Sequence, residues 1–303
     1  MDNITQSSLI DVGAFDHGSC HRERLHSPPQ TGWQGQLELG FGRRGNQTVL
    51  VRNRHRGPLQ VQKALYPEGR DICHIAVLHP PGGVAAGDVL CVDASLEDGS
   101  RALITTPGAT KWYRSEGERA QQQVRVALEG DAILEWLPRE NILFDGANVS
   151  LELDVDMSAH ATYFGWDIFS FGRRASGESW RRGTLRMRTS IRRAGRLIWS
   201  EAANVDAQSE FAKSLAGLSG FTVCGTFMIA ACDLDAARLS ACRDVEPPLA
   251  ESMVGITRVP GVMIARYLGD STEDALRWFT RVWAVLRPAL LGKAICPPRV
   301  WAC

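Results

Sequence analysis

Two groups of side chains in this sequence have the types and spacing to hold a metal ion. His17, Cys20 and His21 lie near the N-terminus, flanked by Asp16 and His26. His17 is close enough to either Cys20 or His21 to chelate with it, and imidazole and thiolate suit Zn, Cu or Ni. The second group is Cys73, His74 and His79, followed by Pro80-Pro81-Gly82-Gly83 and Asp88. In an extended strand Cys73 and His74 point to opposite faces and cannot share one ion. His79 and Asp88 can still approach each other across the loop. On spacing alone, a solvated tail accounts for the first group, and a core cysteine with hydrogen-bonded histidines for the second.

Other chemistries lack their residues. Gly82-Gly83-Val84-Ala85-Ala86-Gly87-Asp88 has the glycines of a phosphate loop but an aspartate where the lysine belongs, and a carboxylate there repels phosphate. Gly217-Leu218-Ser219-Gly220 misses the spacing of a hydrolase elbow. There is no His-Glu-x-x-His and no paired Cys-x-x-Cys. Lys plus Arg (34) equals Asp plus Glu (34), which argues against a nucleic-acid binder. No apolar run reaches the ~18 residues that span a bilayer, and the first residues do not form a signal peptide. The expected location is cytoplasmic, with the eight cysteines reduced.

The elements that must position these groups read as strands. Thr48–Val51, Ile75–Leu78 and Arg101–Thr106 are β-prone runs bounded by turn residues. Asp98-Gly99 and Glu129-Gly130-Asp131 separate such runs and predict hairpins. Leu151–Asp156 and Leu185–Thr189 alternate apolar with polar residues, as half-buried strands do. Two segments read as helices. One is Asp233–Arg243. The other runs from Ser271 to Arg287, with a capping-box start, Leu276, Phe279, Val282, Trp283 and Leu286 on one face, and Pro288 as its stop. No internal repeat is visible. The expectation is a mainly β protein with many short strands in a sandwich, barrel or solenoid-like body and a few helices. Residues 1–32 would form a mobile arm and residues 33–303 a single domain.

Particular words of the sequence then narrow the reading. Arg56–Gln62, Leu65-Tyr66-Pro67-Glu68-Gly69, Cys73-His74-Ile75 and Val77–Gly83 with Gly87-Asp88 resemble the urease accessory protein UreD (UreH) family. So do Leu103–Arg114, Leu134–Glu140, Phe144–Ala147, Gly172-Arg173 with Gly177-Glu178, and the end from Leu286-Arg287-Pro288 to Trp301. The blocks keep the family's order over roughly residues 33–303. The N-terminal segment matches nothing in the family, and Cys303 stands where a threonine is expected.

The resemblance implies a non-enzymatic, mainly β scaffold with no tightly bound cofactor. Its partners would be the urease apoprotein, UreF and the GTPase UreG, and its cargo Ni²⁺, held only transiently and passed through an internal channel. Nucleic acid and membranes are not expected partners. Carboxylates in the matched blocks, Asp88, Glu140, Asp145 and Glu178, become candidates for nickel transit, with Cys73, His74 and His79 beside them. Tyr66, Trp112, Tyr113 and Arg114 become candidate interface residues, because aromatic and Arg side chains dominate binding hot spots. The alternatives are a stand-alone metal-binding protein using the N-terminal cluster and an unrecognised β-fold hydrolase.

Overall fold

The computed structural model describes residues 32–248 and 251–302. His17, Cys20 and His21, with the rest of the expected arm up to residue 31, lie outside the described residues.

The strands are β1 (Gln34–Arg44), β2 (Gln47–Arg56), β3 (Gln60–Val61), β4 (Ile72–Leu78), β5 (Val89–Leu96), β6 (Arg101–Thr105), β7 (Thr110–Trp112), β8 (Ala120–Leu128) and β9 (Ile133–Trp136). They continue with β10 (Asn141–Leu143), β11 (Ala147–Met157), β12 (Thr162–Phe171), β13 (Gly183–Arg193), β14 (Arg196–Asp206) and β15 (Val223–Ala230). Helix α1 (Ala236–Arg243) precedes β16 (Met253–Val259) and β17 (Val262–Gly269), and α2 (Thr272–Leu291) follows them. The strands form a seven-stranded sheet, ordered β14-β13-β11-β8-β5-β1-β2, and a ten-stranded sheet with the path β16-β17-β15-β12-β9-β6-β4-β3.

From β4 to β13 the chain alternates between the two sheets, and each strand pairs in parallel with the equivalent strand of the neighbouring circuit. The fold is mainly β, with solenoid-like coils. Ile72 lies beside Arg101, Arg101 beside Ile133 and Ile133 beside Thr162, so one circuit takes about 30 residues, the size of a solenoid repeat. This corrects two expectations. A structural repeat exists although no sequence repeat betrays it. The Asp98-Gly99 and Glu129-Gly130-Asp131 turns are not hairpins either, since β5 and β6, like β8 and β9, belong to different sheets. Gly99 and Gly130 both adopt positive φ, so the turn chemistry was read correctly, but it folds a coil corner. The corners stack: the Asp131 N–H donates to Asp98 Oδ1 at 2.9 Å. A Cβ on Gly130 would sit 1.5 Å from that oxygen, which leaves room for glycine alone.

The two sheets are written differently in the sequence. Strand β4 (ICHIAVL) is buried along nearly its whole length, as is β12, because this sheet is covered on both faces. Strands β5, β8 and β11 alternate, because the outer face of their sheet meets solvent. Helix α2 supplies the cover of the larger sheet with Trp278, Phe279, Val282, Trp283 and Leu286. Trp166 of β12 lies 6.2 Å from Phe279 and 6.3 Å from Trp283, centroid to centroid.

The Ser271 hydroxyl caps α2 by accepting the Asp274 N–H at 3.1 Å. The helix does not stop at Pro288 but continues to Leu291 and ends at Gly292, in the left-handed region at φ 69°. A proline in the last turn removes one backbone hydrogen bond near an end where few remain to be lost.

Candidate functional site

The interior of the coil is apolar in its middle and changes character at one end. Across the seven-stranded sheet, one inward row reads Leu37, Val92, Val124 and Leu153, then Thr189 and Glu201. The first four are buried core residues. The facing row of the larger sheet reads Asp167, Thr226, Arg266 and Gly255. Strand periodicity puts all four on the inner side, because Tyr163 and Phe169 of the same β12 face pack into the inter-sheet core.

Two carboxylates therefore face the space between the sheets. Arg266 crosses that space from β17 to Glu201 of β14, with Nη2 2.7 Å from Oε1. It also donates to Thr226 Oγ1 at 3.3 Å. Asp167 lies deeper, and burial pushes its carboxyl up to about 7, with the Glu201 charge adding to the push. Burial pushes the Cys224 thiol up to about 12; Arg266 opposes this, and Glu201 and Asp167 reinforce it. Tyr163 is fully buried and its hydroxyl has no hydrogen-bond partner. Its ionisation is pushed well up by burial and then by Asp167. That hydroxyl occupies the space beside Gly165, 2.0 Å from where a Cβ would stand, so the glycine lets the ring lie along the strand toward Asp167.

A second buried polar group closes the far side of the larger sheet. Arg287 of α2 donates through Nε to Glu135 Oε1 at 2.9 Å and through Nη2 to Glu135 Oε2 at 3.0 Å. It reaches Glu68 through Nη1 to Oε2 at 2.8 Å and Nη2 to Oε1 at 2.7 Å. Trp283 Nε1 donates to Glu135 at 2.6 Å, and His74 Nε2 lies 2.6 Å from Glu68 Oε1. Burial alone would raise Glu68, but the hydrogen bonds from His74 and Arg287 outweigh it and hold the carboxyl at about 2. Burial works against the Arg287 charge too, and the two carboxylates overcome it. Glu135 is deeper, and there burial prevails and pushes the carboxyl up. Every oxygen of this group has a donor, so it fastens the end of α2 to β9 and to the segment before β4.

The residues singled out in the sequence fall in three places. Cys73 and His74 point to opposite faces, as expected. Cys73 enters the inter-sheet core, where burial raises its thiol to about 11 against a hydrogen bond with Tyr66, and His74 joins the Arg287 group. His79 and Asp88 approach each other: burial lowers His79 while the Asp88 charge raises it. Asp88 accepts the Trp33 N–H at 2.7 Å and the Ala85 N–H at 2.8 Å, so it ties the Pro80–Gly87 loop. Asp145 accepts three donors from Arg181 and Arg182, which outweigh burial and lower it. Glu178 is held by both forks of Arg173 at 3.0 Å, and Glu140 lies 3.3 Å from Arg139. Asp88, Asp145 and Glu178 each tie a turn through backbone N–H groups or an arginine fork, and Glu140 pairs with its own neighbour.

Several matched blocks nevertheless converge. Val84 bridges to Trp112, Phe144 N–H donates to the Trp112 carbonyl, and Gly172 N–H donates to the Leu143 carbonyl. Tyr113 packs edge-on against Phe144 at 5.1 Å, and Arg173 lies 4.2 Å over the Phe144 ring. Arg114 is exposed beside Gly146. Trp112 is wholly buried, with Nε1 donating to Asn141 Oδ1 at 3.0 Å, and offers no surface to a partner. Tyr66 is half-buried and its hydroxyl donates to the Thr48 carbonyl at 3.0 Å.

Sequence reasoning missed Asp167, Glu201 and Arg266. The one available signal was a charge in an otherwise apolar strand, Tyr163-Phe164-Gly165-Trp166-Asp167-Ile168-Phe169. Among the described residues no group of three or more His, Cys, Asp or Glu is placed to hold a metal ion, and no helix is long and apolar enough to cross a membrane.

Comparison with known proteins places this architecture. The family model described as UreD urease accessory protein matches residues 34–302. A protein of Dechloromonas aromatica named urease accessory protein UreD is 47% identical over 279 residues, covering 91% of this chain and 96% of that protein. The protein of that name from Azoarcus sp. is 46% identical, with the same 91% and 96% coverage. The one from Nitrosococcus oceani is 43% identical over 96% of this chain and 98% of its own length. The ordered sequence blocks, a mainly β coil and likeness over nine-tenths of the chain agree: this chain belongs to the UreD family of urease accessory proteins.

Proposed function

We propose that this chain acts in urease maturation as a non-catalytic scaffold that binds the urease apoprotein, recruits UreF and the GTPase UreG, and passes Ni²⁺ through its interior. The observation that carries the nickel role is the pair of inward carboxylates, Asp167 and Glu201, at the polar end of an otherwise apolar core. Isolated carboxylates inside a protein are costly unless paired or used, and among the described residues Asp167 has no cationic partner of its own. The donors around it suit transit. Burial raises the Cys224 thiol to about 12 and the Tyr163 hydroxyl well up, so each must shed a proton to become an anionic ligand, which weakens its hold on a divalent ion. A passage needs groups that bind weakly enough to release.

The cluster of Tyr113, Phe144, Arg173 and Arg114 supports the scaffold role, since aromatic and Arg side chains anchor interfaces. In this reading nickel transit centres on Asp167 and Glu201, with Asp88, Glu140, Asp145 and Glu178 held in turns nearer the surface loops.

The test is urease activity in nickel-replete cells carrying the urease subunits and the other accessory proteins, with and without this chain. Activity that depends on the chain is expected. Equal activity without it would overturn the maturation role.

A further inference from the structure

Arg266 is oddly placed for a structural arginine. It sits on the inward face of β17, where its row neighbours are Thr226 and Asp167, and it bridges the two sheets through one contact to Glu201 at 2.7 Å. Its side chain is 48% exposed, so solvent reaches it at the open end between β14 and β17. Behind it lie Asp167, which no cation among the described residues pairs, and the unpartnered Tyr163 hydroxyl, fully buried beside Gly165. A guanidinium stays charged at any working pH, so it cannot leave this place by losing a proton. It can leave only by swinging outward on its flexible stem.

We propose that Arg266 is a tethered counter-ion that occupies the cation position at Glu201, so that a divalent ion enters by displacing it and is expelled when it returns. This rests on the reading that the interior carries such an ion. The step is an exchange of cations on one carboxylate: the ion-pair hydrogen bonds break, the metal–carboxylate contact forms, and the guanidinium moves to solvent with its charge intact. Two consequences make the device useful. The resting Arg266–Glu201 pair carries no net charge, and any seated ion feels a like charge anchored within reach of its ligand. Thr226, whose hydroxyl accepts from the same guanidinium at 3.3 Å, guides the return.

The experiment is equilibrium binding of Ni²⁺ to the full chain, with the release rate to an excess of chelator measured alongside. Removing the competing charge in Arg266→Gln should tighten Ni²⁺ binding by roughly tenfold or more and slow release. Arg266→Gln combined with Glu201→Gln should return to weak binding. Arg266→Lys, which keeps the charge, should stay close to the parent. The proposal is overturned if folded Arg266→Gln binds Ni²⁺ no more tightly, or if Arg266→Lys tightens binding as much as Arg266→Gln does. Failure of the underlying reading has a separate signature: Asp167→Asn and Glu201→Gln, with Arg266 intact, would then leave nickel loading of urease unchanged.

Discussion

Two regions of this molecule turn carboxylates inward, and they treat them in opposite ways. At Glu68 and Glu135 every oxygen is matched by a donor from Arg287, Trp283 or His74. At Asp167 and Glu201 one guanidinium reaches one carboxylate, Asp167 has no such partner, and a tyrosine hydroxyl stays unpaired. The first arrangement has nothing left to offer an incoming ion and serves the fold. The second keeps unsatisfied polar capacity, which costs stability. Burial of a charged residue does not by itself mark a working site; the contrast lies in what each carboxylate has left to offer.

The largest effect should come from breaking the satisfied region. Arg287→Met leaves two carboxylates buried without their cation, and the loss should be about 3–5 kcal/mol, visible as a lower denaturant midpoint. A cost below 1 kcal/mol, roughly that of a surface pair, would mean that the group is not the lock described. Acid should find the same weak point. Glu68 is held at about 2, below its ordinary 4.5, so its contribution is present above the ordinary value and is lost as pH falls from about 4.5 toward 2.

Asp167 should show the opposite sign. Its carboxyl is raised from an ordinary 3.8 to about 7, so the unfolded chain releases the proton first and stability falls as pH rises through that window. Asp167→Asn should therefore stabilise the protein at pH 8, by about 1–2 kcal/mol after allowance for partial exposure, and change little at pH 4. A thermal melt at the two pH values decides this; equal shifts at both would mean that Asp167 ionises freely. A change of similar size but opposite direction is expected for Gly165→Ala. The new Cβ meets the Tyr163 hydroxyl, with a cost of about 1–3 kcal/mol from overpacking, whereas no loss in chemical denaturation would show that the ring moves freely.

The smallest effect belongs to the solvated face of α2. Arg277 pairs with Glu273 and Asp274 at 2.7 Å each, yet Arg277→Ala should cost only about 0.5 kcal/mol. A cost of several kcal/mol there would erase the contrast between satisfied burial and exposed pairing.

How much of this was legible in the sequence depends on the range of the interactions involved. Short-range chemistry reads well. Ser271 announced the cap of α2, the Leu185–Thr189 alternation placed arginines outside, and Asp98-Gly99 marked a real turn. What that turn connects was not legible, because a two-residue reversal looks the same whether the strands pair with each other or with neighbours about 30 residues away. Pro288 misled for a related reason, since its penalty depends on how many helix hydrogen bonds lie beyond it. The inward carboxylates were the least legible. Asp88, Asp145 and Glu178 stand among glycines and prolines, where carboxylates tie turns. Asp167 and Glu201 stand in strands whose facing rows meet only after the coil is built. Asp167 beside Trp166 and Ile168 was the one local hint, a charge where the pattern asks for an apolar residue.

The account rests most directly on the two inward carboxylates. The decisive measurement is the nickel content of urease matured with an Asp167→Asn/Glu201→Gln chain, alongside recovery of the accessory complex that contains it. The account predicts an assembled complex and urease that holds well below half of the nickel loaded by the parent. Full nickel content with the double variant in an intact complex would contradict it.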